Sequence, residues 1–182
     1  MLVALTGFMG SGKSTLMNRL KGAEGWTFLD LDQEILKRAN YESVSEMVAH
    51  RGWDFFRRVE LETFESLLET YVLEGGESYS ERCLLALGGG TLRGDTGQII
   101  KRVQSQGPGL TIVYLDTPFA ICWERISGDS SRPLVKEGRD TVEQLYLERE
   151  SFYRLFANLS LNLEQQDKIL HPRDLVQEDL SD

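Results

Sequence analysis

A glycine-rich segment near the start of the chain constrains its fold more than any other feature. Residues 7–14 read GFMGSGKS, which fits the pattern G-x-x-x-x-G-K-[ST]. An apolar run at 2–5 precedes it, and residues 13–20 have the apolar spacing of a helix. In this pattern the glycines let backbone N–H groups point at phosphate oxygens, and the following helix adds its positive N-terminal end. The sequence therefore predicts a strand, a phosphate-binding loop and a helix; a glycine-rich turn with a stray lysine is the weaker alternative.

Side chains of this loop are candidate ligands of a nucleoside triphosphate and its metal ion. Lys13 would neutralise charge between the β- and γ-phosphates, and the Ser14 hydroxyl would complete the coordination of Mg²⁺. The predicted nucleotide-binding residues of the loop are Gly10, Ser11, Gly12, Lys13, Ser14 and Thr15. We therefore expect a nucleotide co-substrate and a hard metal ion held by oxygen.

The rest of the chain alternates short apolar strands with helical segments. Strands are predicted at 2–5, 26–29, 83–87, 110–115 and 159–163. Helices are predicted at 13–20, 33–39, 44–51, 55–73, around 99–103, from 117 to 126, at 142–157 and from 172 onward, with polar loops at 74–81 and 127–139. Apolar strands that alternate with helices indicate a parallel sheet covered on both faces. A chain of 182 residues with 41% apolar side chains is expected to form one domain, 1–182.

Charge and cysteine content restrict the classes of partner and compartment. The 20 basic and 29 acidic residues give a net charge of −9, which argues against a sequence-independent grip on nucleic acid or on an anionic membrane surface. The N-terminus lacks the charged flank and length of a secretory signal, and no apolar run approaches the roughly 20 residues that cross a bilayer. Cys83 and Cys122 are predicted to be buried free thiols, which points to a reducing cytoplasm. His50 and His171 leave little material for a structural zinc site.

Two aspartates directly after the second predicted strand are candidates for metal and substrate binding. Asp30 and Asp32 flank Leu31, and an extended spacing of two would put both carboxylates on one side. One could then hold metal-bound water while the other accepts a hydrogen bond from a substrate hydroxyl. The alternative is a helix-capping aspartate with a solvated neighbour.

Three further segments are candidates for the acceptor site and a lid. Arg57 lies three residues before Glu60 on an amphipathic helix, so the pair could form an oriented carboxylate receptor or an ordinary exposed ion pair. Three consecutive glycines at 88–90 follow a buried strand, which predicts either close approach of backbone to a ligand or a plain tight turn. Arg132 lies in the loop 127–139 and could fold over the phosphates as a lid residue, although an idle surface arginine would look the same in sequence.

Taken in order, these segments resemble the shikimate kinases, P-loop enzymes of the nucleoside-monophosphate-kinase type. The resemblance runs from residue 1 to about 154 and rests on GFMGSGKST at 7–15, DLD at 30–32, FRRVE at 56–60, LGGGT at 87–91, RPL at 132–134 and RESFY at 149–153. It implies a three-layer α/β/α P-loop kinase fold with a five-stranded parallel sheet, a substrate-binding segment at about 31–73 and a lid at about 127–139. The implied reaction is magnesium-dependent transfer of phosphate from ATP to the 3-hydroxyl of shikimate, in aromatic amino acid (chorismate) biosynthesis.

The resemblance also implies roles for individual residues. Asp32, Arg57, Gly89 and Arg149 would contact shikimate, Asp30 would join Ser14 around magnesium, Arg125 would lie near the adenine, and Lys13, Asp32 and Arg132 would be the catalytic residues. Both arginines of the substrate set would bind the shikimate carboxylate, and Asp32 would accept the proton of the hydroxyl. The small-molecule partners would be ATP and shikimate, with no nucleic acid or membrane partner, and the protein is expected to be a cytoplasmic monomer.

Two departures from the family pattern accompany these expectations. Gly52 is followed by Trp53, where the family usually has glutamate, and residues 164–171 do not align, so no adenine-contacting residue is predicted there. Two other functions stay open: a P-loop kinase for another acceptor, such as gluconate or a nucleoside monophosphate, and a kinase-like module that binds nucleotide without catalysis. Paired arginines favour a carboxylate over a nucleobase, and the retained lysine, aspartates and arginines disfavour loss of catalysis.

Overall fold

Five parallel strands form the centre of the computed structural model, which describes residues 1–73, 82–129 and 133–176. The strands are β1 Leu2–Thr6, β2 Trp26–Asp30, β3 Arg82–Ala86, β4 Leu110–Leu115 and β5 Leu159–Leu161. Their order across the sheet is β2-β3-β1-β4-β5, and every neighbouring pair is parallel. The predicted five-stranded parallel sheet is therefore confirmed, and the carboxyl ends of all five strands lie at one edge.

Helices cover both faces of this sheet. They are α1 Lys13–Leu20, α2 Leu31–Ala39, α3 Val44–Leu68, α4 Gly94–Gln106, α5 Phe119–Ile126, α6 Arg139–Phe156 and α7 Leu163–Lys168. Alternate strand residues feed two separate cores, because successive side chains point to opposite faces. Leu2 and Ala4 pack with residues of α2 to α6, whereas Val3 and Leu5 pack with α1 and the C-terminal segment. The result is the predicted three-layer α/β/α arrangement.

The helical segment after α2 is bent where the sequence predicts a break. Two helices, 44–51 and 55–73, are predicted; α3 spans both, with Gly52 at the bend in a left-handed conformation of φ 79°. A side chain at Gly52 would be strained there, which explains the glycine. The last residues of the predicted helix 55–73 form a π-helical turn, Glu69–Leu73.

The start of α2 corrects the predicted geometry of the two aspartates. The helix is predicted from 33 but begins at Leu31, because the Asp30 carboxylate caps it by accepting a hydrogen bond of 3.3 Å from the Gln33 N–H. Asp32 therefore lies in the first helical turn. The expectation that both carboxylates lie on one side of an extended segment is wrong, and the alternative of a capping aspartate is correct for Asp30.

The second half of the chain also departs from prediction in three places. The strand predicted to reach 163 ends at Leu161, because Asn162 and Gln165 form a reciprocal capping box that starts α7. In the predicted loop 127–139, a 3₁₀ turn occupies Pro133–Glu137 and α6 already begins at Arg139. The terminal helix is a 3₁₀ turn, Pro172–Leu175, within the part described. The polar loop 74–81 lies outside the described residues, as does the chain after 176.

None of the helices within 1–73, 82–129 and 133–176 combines the length and the apolar character that a bilayer crossing requires.

Candidate active site

The phosphate-binding loop joins β1 to α1 at the carboxyl edge of the sheet. The Lys13 ammonium group donates hydrogen bonds to Gly7 O at 2.7 Å and to Phe8 O at 3.1 Å, so the lysine lies across its own loop. A cleft of about 640 Å³ opens beside it, lined by the loop residues Gly10, Gly12, Lys13, Ser14 and Thr15 together with Arg125 and residues of α7. The predicted nucleotide-binding residues of the loop, other than the buried Ser11, therefore line one cleft.

Two predicted magnesium ligands line a second cavity. Ser14, in the first turn of α1, and Asp30, at the end of β2, both line a space of about 300 Å³. One Asp30 oxygen accepts the capping hydrogen bond of α2, and the side chain as a whole is exposed. A hydroxyl and a carboxylate are the hard donors that Mg²⁺ takes, usually alongside water and phosphate oxygens. The residues present therefore fit a magnesium ion.

Each glycine of the turn 88–90 lies against one predicted substrate residue. A Cβ built on Gly88 would be 3.0 Å from Asp32 Oδ1, and one on Gly90 would be 2.8 Å from Arg57 Nη2. A Cβ on Gly89 would be 3.1 Å from Arg149 Nη1 and 3.8 Å from the Gly7 carbonyl oxygen of the phosphate-binding loop. The turn therefore brings together side chains from α2, α3 and α6, at a place where any β-carbon would intrude. Of the two predictions for these glycines, close approach to a site is supported.

Arg57 is held by a buried acid. Its Nη1 atom donates to Glu60 Oε2 at 2.5 Å, and the other Glu60 oxygen accepts from Thr91 Oγ1 at 2.7 Å. The Glu60 side chain is only 3% exposed, whereas that of Arg57 is 41% exposed. The ordinary exposed ion pair is thus excluded, because the acid is fixed inside the protein and directs the guanidinium toward the turn.

Arg149 is a second, largely buried cation beside the same turn. Its Nε–H has no hydrogen-bond partner among the described residues. Burial lowers the pKa of Arg149, and the nearby charge of Arg57 lowers it further, while Tyr153 opposes the shift. Tyr153 also fixes the turn by donating to Gly89 O at 2.6 Å. Two guanidinium groups that repel each other across a small space form a receptor for an anion.

The carboxyl group of Asp32 has a raised pKa. Burial, followed by the repulsion of Asp30 and Glu60, raises its pKa from 3.8 to about 6. The charges of Lys13 and Arg57 act in the opposite direction, so both cations lie near Asp32. A carboxylate whose pKa is closer to the pH of a neutral solution accepts a proton more effectively than an ordinary aspartate.

Comparison with known proteins agrees with this geometry. The family model described as shikimate kinase matches residues 9–178. The chain belongs to the shikimate kinase family. The shikimate kinase of Chloroherpeton thalassium is 34% identical over 170 residues, which are 88% of this chain and 82% of that one. The shikimate kinase of Persephonella marina is 32% identical over 151 residues, covering 83% and 82%.

Solved structures of shikimate kinases share the fold. That of the Aquifex aeolicus enzyme has a TM-score of 0.70 and 27% identity, and the match covers 97% of this chain and 92% of that one. The Acinetobacter baumannii enzyme, solved in complex with shikimate, has a TM-score of 0.67 and 25% identity over 88% and 82%. Membership of the shikimate kinase family makes this protein a small-molecule kinase.

The departure from the family pattern at Trp53 has a defined place in the site. Its ring is 57% exposed and packs edge-on against Phe56, with centroids 5.6 Å apart. The Arg57 guanidinium carbon lies 5.6 Å from the Trp53 centroid and 5.3 Å from that of Phe56. Aromatic faces near a guanidinium provide cation–π attraction. Trp53 therefore lies beside Arg57 and leaves the contact of Arg57 with Glu60 intact.

The nucleotide cleft contains residues that sequence reasoning missed. Leu163, Gln166 and Asp167 of α7 line it opposite the phosphate-binding loop, and Arg19 of α1 joins them. Arg19 donates to the Gln166 carbonyl oxygen and lies 3.6 Å from the Asp167 carboxylate. The capping box after β5 was the available signal for this helix. The predicted base-side residue Arg125 lines the same cleft, where its Nη1 donates to Gly10 O at 2.9 Å. Arg132 lies outside the described residues.

Proposed function

We propose that this shikimate kinase family member transfers the γ-phosphoryl group of ATP to the 3-hydroxyl of shikimate, giving shikimate 3-phosphate and ADP in aromatic amino acid biosynthesis. The observation that carries the proposal is the turn at 88–90. Along the turn, Gly88 lies against the Asp32 carboxylate, Gly89 against Arg149 and the phosphate-binding loop, and Gly90 against Arg57. An acceptor with a carboxylate at one end and a hydroxyl at the other fits this arrangement.

The acceptor is bound at its carboxylate by Arg57 and Arg149. Arg57 is already oriented by Glu60, so little side-chain freedom is lost when the carboxylate forms its paired hydrogen bonds. Gly89 lies between these arginines and the phosphate-binding loop. Because it has no side chain, the ring of the bound shikimate can approach the backbone of the turn. Positioning of this kind supplies much of the rate of phosphoryl transfer.

Asp32 accepts a hydrogen bond from the acceptor hydroxyl and takes its proton late in the transfer. The transition state is loose, so the hydroxyl proton becomes acidic only as the new bond forms. Lys13 exchanges its contacts with Gly7 and Phe8 for the β- and γ-phosphate oxygens and offsets their charge. Arg132 is assigned the same task from the lid.

The nucleotide is bound by the loop residues Gly10, Ser11, Gly12, Lys13, Ser14 and Thr15, with Arg125 beside the adenine. Ser14 and Asp30 would hold a magnesium ion. When bound, that ion neutralises phosphate charge.

The same proposal includes the organisation and setting of the protein. It is one domain, 1–182, with a substrate-binding segment at about 31–73 and a lid at about 127–139, and it acts as a monomer on ATP and shikimate without nucleic acid or membrane partners. A cytoplasmic location is supported by the two cysteines, Cys83 and Cys122, which are buried and free.

A coupled assay of ADP release tests the proposed acceptor. The panel contains shikimate, shikimate methyl ester, gluconate and a nucleoside monophosphate, each with ATP and Mg²⁺. We expect release with shikimate and a loss of at least about a hundredfold in kcat/KM with the ester, which lacks the negative charge that the two arginines bind. Faster release with gluconate or the monophosphate would assign another acceptor. Nucleotide binding with no release for any acceptor would indicate the non-catalytic module.

A further inference from the structure

The glycine turn beside the acceptor site has one defined peptide orientation. The Thr91 N–H donates to Gly88 O at 3.2 Å, so Gly89 and Gly90 are the two central residues of a β-turn. Neither of them has a left-handed φ. A hydrogen-bonded turn without a left-handed residue is of type I, whereas type II requires a left-handed residue at the second central position. The turn is therefore in the type I form.

Glycine alone does not hold the turn in this form. Type I and type II turns differ by a flip of the central peptide, which here joins Gly89 to Gly90, and type II favours glycine at the position of Gly90. Glycine adopts a left-handed φ without steric cost. A turn made of glycines at 88–90 could therefore take either orientation unless another group selects one.

The hydroxyl of Tyr153 selects the observed orientation. It donates to Gly89 O at 2.6 Å, and Tyr153 is only 1% exposed. The Tyr153 ring packs on Tyr114 of β4, with centroids 5.3 Å apart, which holds the hydroxyl in place. A flip of the peptide would leave a buried hydroxyl without its acceptor, and this penalises the flipped form.

The other side of the same peptide carries the consequence for a ligand. In a trans peptide the C=O and N–H groups point in opposite directions, so the Gly90 N–H points away from Tyr153. Among the residues that the structure describes, no backbone oxygen accepts from this N–H, and Gly90 is only partly buried. A Cβ built on Gly90 would be 2.8 Å from Arg57 Nη2. The observed orientation thus provides a backbone donor at a residue beside Arg57, whereas the flipped form would provide a carbonyl oxygen that repels a carboxylate.

Arg149 is set by the same helix that carries the hydroxyl. Arg149 and Tyr153 are four residues apart on α6, so they share one face of that helix. A Cβ built on Gly89 would be 3.1 Å from Arg149 Nη1 and 3.4 Å from Tyr153 Oη. One helix therefore presents the second arginine and the hydroxyl to the same glycine.

We propose that Tyr153 is a positioning residue of the acceptor site, which holds the peptide between Gly89 and Gly90 in the orientation that binds a carboxylate. It acts through the turn and not by contact with the acceptor. The inference rests on the proposed use of a carboxylate-bearing acceptor.

Kinetics of Tyr153→Phe, which removes the hydroxyl and keeps the ring, test the effect on the acceptor. We expect the KM for shikimate to rise by about tenfold or more, with kcat and the KM for ATP within about threefold of the wild type. With shikimate methyl ester the loss in kcat/KM should be less than about threefold, because the ester has no charge for a flipped carbonyl to repel. Tyr146→Phe is the matched control: Tyr146 is a buried residue of the same helix that donates to Thr117 O at 3.1 Å, outside the turn, and its loss should leave the KM for shikimate unchanged.

Nuclear magnetic resonance of the glycine amides tests the turn itself without any acceptor. In protein labelled with a nitrogen isotope on glycine only, we expect one sharp Gly90 signal in the wild type and a displaced, doubled or exchange-broadened signal in Tyr153→Phe. The spectra decide the role of Tyr153 in the turn even if the enzyme fails to phosphorylate shikimate, so the two proposals fail separately.

Several results would overturn the proposal. Two concern the turn: a doubled Gly90 signal in the wild type, and an unchanged Gly90 signal in Tyr153→Phe. The others concern kinetics: a KM for shikimate in Tyr153→Phe within about threefold of the wild type, a loss with the ester as large as that with shikimate, or an equal loss in Tyr146→Phe.

Discussion

Arg57 and Glu60 form a 2.5 Å ion pair in which the acid is buried and the arginine faces the glycine turn. Thr91 donates to the second oxygen of Glu60, so the carboxylate cannot turn away. The arginine is therefore oriented before any acceptor arrives. Preorganisation of this kind lowers the entropy lost on binding, and a guanidinium fork matches the geometry of a planar anion such as a carboxylate.

Replacing Arg57 by alanine should weaken acceptor binding far more than nucleotide binding. We expect Arg57→Ala to raise the KM for shikimate by at least about thirtyfold, because a paired, preoriented cation is lost, while the KM for ATP changes less than about threefold. Arg58→Ala is the control, since Arg58 is the exposed neighbour on the same helix. Steady-state kinetics with each substrate varied provide the measurement, and equal effects of the two substitutions would contradict the assignment.

A methyl group on the glycine turn should displace Arg57 without straining the backbone. A Cβ at Gly90 would lie 2.8 Å from Arg57 Nη2, and Gly90 has no left-handed φ. We expect Gly90→Ala to raise the KM for shikimate by about tenfold with little change in melting temperature. Ser105→Ala is the control, because Ser105 is an exposed residue in the last turn of α4 and belongs to no proposed site. If Gly90→Ala retained the wild-type KM, the turn would not be part of the acceptor site.

The raised pKa of Asp32 predicts a pH dependence of both activity and stability. Because Asp32 must be ionised to accept a proton, kcat/KM should fall as the pH drops through about 6. For stability, the folded pKa lies above the unfolded value of 3.8, so the contribution of Asp32 is fully present below 3.8 and is lost as the pH rises through about 6. Asp32→Asn should therefore melt at a higher temperature than the wild type near neutral pH, and the difference should shrink as the solution is acidified. Melting curves across pH check this, and a lower melting temperature for the variant at neutral pH would argue against it.

Asp30 should affect the requirement for magnesium. A chelator should abolish turnover, and excess Mg²⁺ should restore it. Asp30→Asn keeps a helix-capping side chain but loses the charge, so we expect a rise of about tenfold or more in the Mg²⁺ concentration for half-maximal activity. Asp95→Asn, at the exposed start of α4, removes the same charge elsewhere and should leave the requirement unchanged. The same Mg²⁺ requirement in both variants would remove Asp30 from the metal site.

Local chemistry allowed the central parts of this structure to be predicted. Apolar strands such as Leu110–Leu115 and the loop before Lys13 are encoded within a few residues, so their places along the chain could be predicted from the sequence. The relation between Asp30 and Asp32 was predicted wrongly because a capping carboxylate starts the helix two residues early. Spacing alone cannot tell an extended segment from the first turn of a helix.

Other features depend on residues far apart in the chain. The spacing of Arg57 and Glu60 predicts that the two side chains pair. It does not predict that Glu60 is buried or that Thr91, 31 residues away along the chain, donates a hydrogen bond to it. The orientation of the Gln166 side chain depends on contacts with Thr117, in the turn after β4, and with Leu161 of β5. Tertiary packing sets these contacts, and no local pattern contains them.

The most direct test of the account is the kinetic and binding behaviour of Asp32→Asn. Asparagine keeps the size of the side chain but cannot take a proton from the acceptor hydroxyl. We expect kcat to fall by about a hundredfold to ten-thousandfold, while calorimetry finds the affinities for ADP and shikimate within about threefold of the wild type. A variant that kept more than about a tenth of the wild-type kcat would contradict the placement of Asp32 between the phosphates and the acceptor.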